Sequence, residues 1–191
     1  MKIRFFTFIL SFCISYILSA QVAYKTFGEQ HRLRVNSNGS LGIDLSDLSP
    51  AHSFQNTNNH FLNQAGLWIV AEDYDGNYST SVQYLTAKDS FDFWPGPVDT
   101  LTGQTDPISE WDYVWEVDRE VIDNHKKNFA SKDYVLPSQI SNWPAQGKDG
   151  YMQYLAPFVD VNKNAIYDPV NGDYPYVYGV TKSLYCIFND L

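Results

Sequence analysis

Cysteine is almost absent from this chain. Two occur in 191 residues, and Cys13 lies in an N-terminal stretch that reads as a cleavable leader. Only Cys186 would remain, so the processed chain can form no internal disulfide. Its setting, Leu-Tyr-Cys-Ile-Phe, points to a buried, inert thiol. Positive charge is also scarce. Thirteen Lys and Arg face 22 Asp and Glu, a net charge of −9, and losing Lys2 and Arg4 with the leader takes it to −11. Nucleic acid is therefore an unsuitable partner, because non-specific binding depends on neutralising phosphates. Catalytic signatures are missing as well. There is no HExxH, no P-loop, no GxGxxG after a strand and no GxSxG. His31, His52, His60 and His125 lack zinc-ligand spacing. Carboxylate pairs such as Asp89 with Asp92, Glu110 with Asp112 and Asp118 with Glu120 are what any acidic β protein offers. A glycosidase needs two carboxyls about 5 to 9.5 Å apart in one cleft. The expectation is a protein that is not an enzyme.

Long apolar runs are confined to the start. Residues 1–20 have a positive n-region at Lys2 and Arg4, an apolar segment over 5–18 and small residues at Ser19 and Ala20. That is the pattern of a secretory signal peptide, too short for a membrane span. The mature chain is expected to begin at Gln21, to have no transmembrane span, and to form one domain over 21–191. About 170 residues can bury a sizeable core without staples.

What the chain does have is aromatic residues, 16% of the total, with 14 Tyr and 5 Trp. These favour strands and fill β cores. Residues 32–44 read as a hairpin turning at Asn38-Gly39. Residues 45–63 read as a long polar loop. Residues 67–71, Leu-Trp-Ile-Val-Ala, are a continuous apolar run, as in a strand buried on both faces. They should pair with 78–85 through a turn at 74–77. Residues 111–117 alternate as a strand, and Asp118 can N-cap a helix over 119–129. Val121, Ile122, His125 and Phe129 share a face of that helix, where His125 is expected to pack. A helical turn should follow Pro137, and strand segments should recur over 151–159, 174–178 and 184–188. The fold class is mostly β, with sandwich-like antiparallel sheets, one short helix and long loops.

The sharpest chemical signal is residues 155–175, LAPFVDVNKNAIYDPVNGDYP. Counting from Asp160, oxygen-bearing side chains fall at positions one, three, five, nine and twelve: Asp160, Asn162, Asn164, Asp168 and Asn171. A backbone carbonyl at position seven would come from Ile166. That is the spacing at which a loop wraps around Ca²⁺. Asp173 could stand in for Asn171. Position six, which favours Gly for its sharp turn, is Ala165. Asn at positions three and five implies weak affinity, roughly 10⁻⁴ to 10⁻³ M. The alternative is a loop closed by Asx-turns without metal, and both readings stay open.

Several landmarks resemble the N-terminal region of bacteroidete secreted surface proteins exported by type IX secretion. In order they are AYKTF at Ala23, VNSNGSLGID at Val35, GLWIVAEDYDGN at Gly66, FWPGPVDT at Phe93, YVWEVDREVID at Tyr113, SQISNWPAQG at Ser138, the 155–175 stretch, and LYCIFND at Leu184. The resemblance implies secretion or display on the outer cell surface. It also implies a C-terminal sorting domain, to which nothing here corresponds, so a truncated member is expected. It supplies no catalytic residues. The functional expectation is a structural or adhesive module stabilised by Ca²⁺, with an extracellular glycan or surface protein as partner. Two alternatives are a glycan-binding module using Trp94, Trp111 or Trp143, and a fragment of a secreted hydrolase.

Overall fold

Aromatic and β-branched segments separated by Gly, Asn and Asp turns produce many short strands. A computed structural model describes residues 23–28, 31–54, 57–60, 62–84, 91–99, 101–105, 108–147 and 154–190. The expected leader and the start of the expected 151–159 strand lie outside the described residues. In chain order the first strands are β1 (Tyr24–Phe27), β2 (His31–Asn36), β3 (His52–Phe54), β4 (Trp68–Glu72), β5 (Tyr78–Val82) and β6 (Trp94–Pro95). Then come helix α1 (Ile108–Trp111), β7 (Trp115–Asp118), α2 (Arg119–Asn128), α3 (Ser138–Ser141) and β8 (Phe158–Val159). A 3-10 turn (Pro169–Asn171), β9 (Tyr174–Pro175), β10 (Lys182–Tyr185) and β11 (Phe188–Asn189) complete them. The chain is mostly β and every ladder between these strands is antiparallel. β1, β2 and β3 form one sheet in that order, while β4 pairs with β5, β6 with β11, β7 with β10, and β8 with β9.

The expected Asn38-Gly39 turn is present, and it is buried. Asn36, Ser37, Asn38 and Ser40 are all buried. They tolerate this because their polar atoms are paired. Asn36 Nδ2 donates to the Ser40 and Ile43 carbonyls, and Asn38 Oδ1 accepts from Ser40 N and Oγ. Gln83 Nε2 donates to the Asn38 carbonyl at 2.6 Å, tying this turn to the end of β5. Arg34, 6% exposed, is held by Asp44 at 2.5 Å and lies over the Tyr24 ring. The returning strand is reduced to single bridges at Leu41 and Ile43. The expected loop over 45–63 contains β3, which pairs with the open edge of β2.

β4 and β5 form the expected hairpin, and Asp73 caps its turn by accepting from Asp75 N and Asn77 N. The expectation that β4 is buried on both faces is corrected. All five residues are exposed, with Trp68 and Val70 at 66%. Among the described residues its only strand partner is β5, whose Ser79, Thr80 and Ser81 are polar and bring no apolar layer.

The main core lies under α2 and α3. Val117, Ile122, Ile140, Trp143, Ala145, Ala156 and Val177 are buried there, with Phe158, Tyr167, Tyr174 and Tyr185 packed around them. α2 spans nearly the expected range because Ile122 and His125 fall on one face. Asp118 sits at its N-cap but makes no side-chain cap bond. Its carboxylate instead accepts from Gln139 Nε2 and pairs with Lys182. The expected strand over 111–117 is shortened to β7, because α1 holds Trp111. The Cys186 thiol is pushed up to about 11 by burial, which keeps it unreactive at neutral pH.

Candidate functional site

The candidate site is the loop over 160–173. β8 leads in and β9 leads out, with Val159 paired to Tyr174 and Phe158 to Pro175. The ladder brings the two ends together, and the aromatic core beneath fixes it.

Asp160 organises the first half. Its Oδ1 accepts from Lys163 N at 2.6 Å and from Asn164 N at 3.3 Å, and its Oδ2 accepts from Ala165 N at 2.7 Å. Asn162 Oδ1 accepts from Asn164 N, and Asn164 Oδ1 accepts from Ile166 N, two successive Asx-turns. These bonds wind the chain tightly enough that Lys163 and Ala165 both adopt positive φ, 61° and 63°. The sharp turn expected of Gly at position six therefore forms with Ala165, under strain. Ala165→Gly should stabilise the protein by about 1 kcal/mol. Urea melts check this, and an unchanged or lower midpoint would contradict the left-handed assignment.

Asp168 organises the second half. Its carboxylate accepts from Nδ2 of Asn162, Asn164 and Asn171, at 3.1, 3.0 and 2.8 Å to Oδ2. The fold thus gathers four of the spaced side chains at one point. Amide donors, Asn171 first, hold the Asp168 carboxyl below its usual range. Asp160 serves the neighbouring backbone, and Ile166 stands at position seven with its side chain exposed.

Sequence reasoning undervalued Asp173. It is 0% exposed, and it accepts from Val161 N at 2.8 Å and from Asp168 N at 3.0 Å. It closes the loop from inside, and burial pushes its carboxyl up. Gln146 was missed altogether. Its amide clamps the loop from outside, donating to the Ala165 carbonyl and accepting from Tyr167 N, both at 2.8 Å. Only the three-dimensional arrangement brings residue 146 to residue 165.

His125 connects the loop to α2. It is fully buried, as a packing residue, with Nε2 3.0 Å from the Asp173 carbonyl and Nδ1 3.0 Å from the Tyr134 hydroxyl. A carbonyl can only accept, so Nε2 carries the proton and Nδ1 accepts from Tyr134. Burial holds its pKa below the ordinary 6.5. The unfolded chain therefore takes up a proton first. Stability from this group is complete above about 6.5 and is lost as pH falls towards the folded value. The melting temperature should fall between about pH 7 and pH 5, and His125→Gln should flatten that slope. An equal slope in both proteins would assign the loss to other groups.

The donor set is entirely oxygen, which suits a hard cation such as Ca²⁺ and not zinc. Asp160 Oδ2, Asp168 Oδ1, Asn162 Oδ1 and Asn164 Oδ1 each accept one N–H and carry a second lone pair, whereas Asp160 Oδ1 accepts two N–H groups and Asp168 Oδ2 three. Among the described residues no three His, Cys, Asp or Glu side chains are grouped to share a metal. An ion here would rest on Asp160 and Asp168 together with Asn and backbone oxygens. The tryptophans offered as glycan platforms are placed differently from that expectation. Trp111 and Trp143 are each 5% exposed, and Trp94 is half-buried, edge-on to Phe91. No family model, curated protein or solved structure matches the chain.

Proposed function

We propose that this chain is a non-enzymatic module of the cell exterior, structural or adhesive, whose 160–173 loop takes Ca²⁺. The observation that carries the reading is the gathering of Asn162, Asn164 and Asn171 around Asp168 in a loop that Asp160 winds; they reach Asp168 through their amide NH₂ groups, so an ion would be taken by turning their carbonyl oxygens inward. The leader-like residues 1–20 and the acidic balance support an exported protein. Among the described residues no helix is long and apolar enough to cross a membrane. An extracellular glycan or a surface protein is the proposed class of partner.

In this reading Asp160 and Asp168 supply the charge. Asn162 and Asn164 supply neutral side-chain oxygens, and Ile166 its carbonyl, with Asn171 completing the set. Asp173 positions the loop by holding two backbone N–H groups. A bound ion stabilises the folded state by RT ln(1 + [L]/Kd). With Kd near 10⁻⁴ M and millimolar Ca²⁺ this is about 1 to 2 kcal/mol, or several degrees of melting temperature. Melting should rise in millimolar Ca²⁺, return with chelator, and lose its response in Asp160→Ala. Identical melting with Ca²⁺ and with chelator would mean that Asx-turns alone hold the loop.

A further inference from the structure

A separate concave site lies between β7 and α3. It is a cavity of ≈ 240 Å³, walled also by Lys25 of β1. It shares no residue with the 160–173 loop, so it stands apart from the Ca²⁺ reading. One wall is aromatic. The Tyr113 and Trp115 rings meet edge to face, with centroids 5.3 Å apart, and Tyr113 is half exposed. The other groups are polar and of both senses. Glu116 accepts from Lys25 Nζ at 3.0 Å and also from Lys182. Hydrogen bonds from Lys182 and Lys25 hold its carboxyl below the usual range, so it stays an acceptor. Ser138 and Asn142 are exposed on α3 and just past its end. The Asn142 amide oxygen already accepts from Ser141 Oγ, which leaves its NH₂ to donate outward. Gln139 is wall only, since both ends of its amide are bound to Asp118.

The opposite charges of Lys25 and Glu116 cancel, so the site calls for no charge on its ligand. The aromatic wall calls for a flat apolar face. The polar groups call for a rim that both donates and accepts. The volume falls below the roughly 300 to 1,000 Å³ of sites for drug-sized ligands, which favours a single ring. A neutral hexopyranose meets all four requirements, with C–H bonds on one face and hydroxyls around its edge. We propose that this pocket binds a neutral hexopyranose through Tyr113, Trp115, Glu116, Lys25, Ser138 and Asn142.

The test is a titration of ¹⁵N-labelled protein with D-glucose, D-galactose, D-mannose and N-acetylglucosamine. Glucuronate, glucosamine and glycerol serve as controls. At least one neutral sugar should give saturable shifts at the Trp115 indole and the Asn142 side-chain amide in the millimolar range. Tyr113→Ala and Asn142→Ala, both at exposed positions, should each weaken binding about fivefold, the loss of one contact near 1 kcal/mol, with melting unchanged. Trp115 is left intact in these variants because it packs on the core. The proposal is overturned by no saturable shift at tens of millimolar of any neutral sugar. It is equally overturned by affinity that neither variant changes, or by shifts that glycerol or a charged sugar reproduces.

Discussion

Asp173→Ala should destabilise the fold by about 3 to 5 kcal/mol, since two backbone N–H groups lose a charged, buried acceptor. Asp173 is the inner clasp of the candidate site. It joins Val161 at the loop's start to Asp168 at its middle. Water cannot replace it without opening the β8–β9 neck, because the residue is 0% exposed. For a chain of this size the loss corresponds to roughly 10 °C in melting temperature. Asp173→Asn is the sharper variant. It keeps the shape but turns one acceptor into a donor facing an N–H, so it should still cost about 2 to 3 kcal/mol. Thermal melts of both variants decide the matter. A near-neutral Asp173→Asn would show that the carboxylate does not hold both amides.

Gly39→Ala should cost about 3 kcal/mol, from two causes that add. Its φ of +86° lies where a Cβ is strained. A Cβ would also stand 2.4 Å from Gln83 Nε2 and 2.5 Å from the Phe188 ring. Neither neighbour is a loose surface group. Gln83 is buried and bonded to the Asn38 carbonyl, and Phe188 lies in β11. The substitution therefore loosens the turn after β2, the end of β5 and β11 together. Urea unfolding measures it. A loss under about 1 kcal/mol would mean that Phe188 can withdraw freely.

Much of the local structure was legible. The Asn and Asp spacing located the loop, the apolar stripe located α2, and the turn residues located the β4–β5 hairpin. These are signals carried by neighbours in sequence. What was not legible depends on distant partners. Asn36, Asn38 and Ser40 belong to a hairpin whose turn the sequence located, but their burial depends on Ile43 and Gln83, which only the fold brings to them. Residues 67–71 have the composition of a covered strand, but periodicity cannot say whether a second layer covers it. Asp173 read as a stand-in ligand because its distance from Asp160 is visible in the sequence, and its burial beneath the β8–β9 neck is not. Gln146 gave no signal, because an amide 19 residues before Ala165 is one of many.

Ca²⁺ binding by the 160–173 loop through Asp160 and Asp168 is the proposal on which the functional reading rests. Isothermal titration of the purified chain with CaCl₂ tests it most directly, beside an Asp168→Asn variant shown to be folded by circular dichroism. One site with Kd of roughly 10⁻⁴ to 10⁻³ M is expected, lost in the variant. A titration indistinguishable from buffer, or one that Asp168→Asn leaves unchanged, would contradict it.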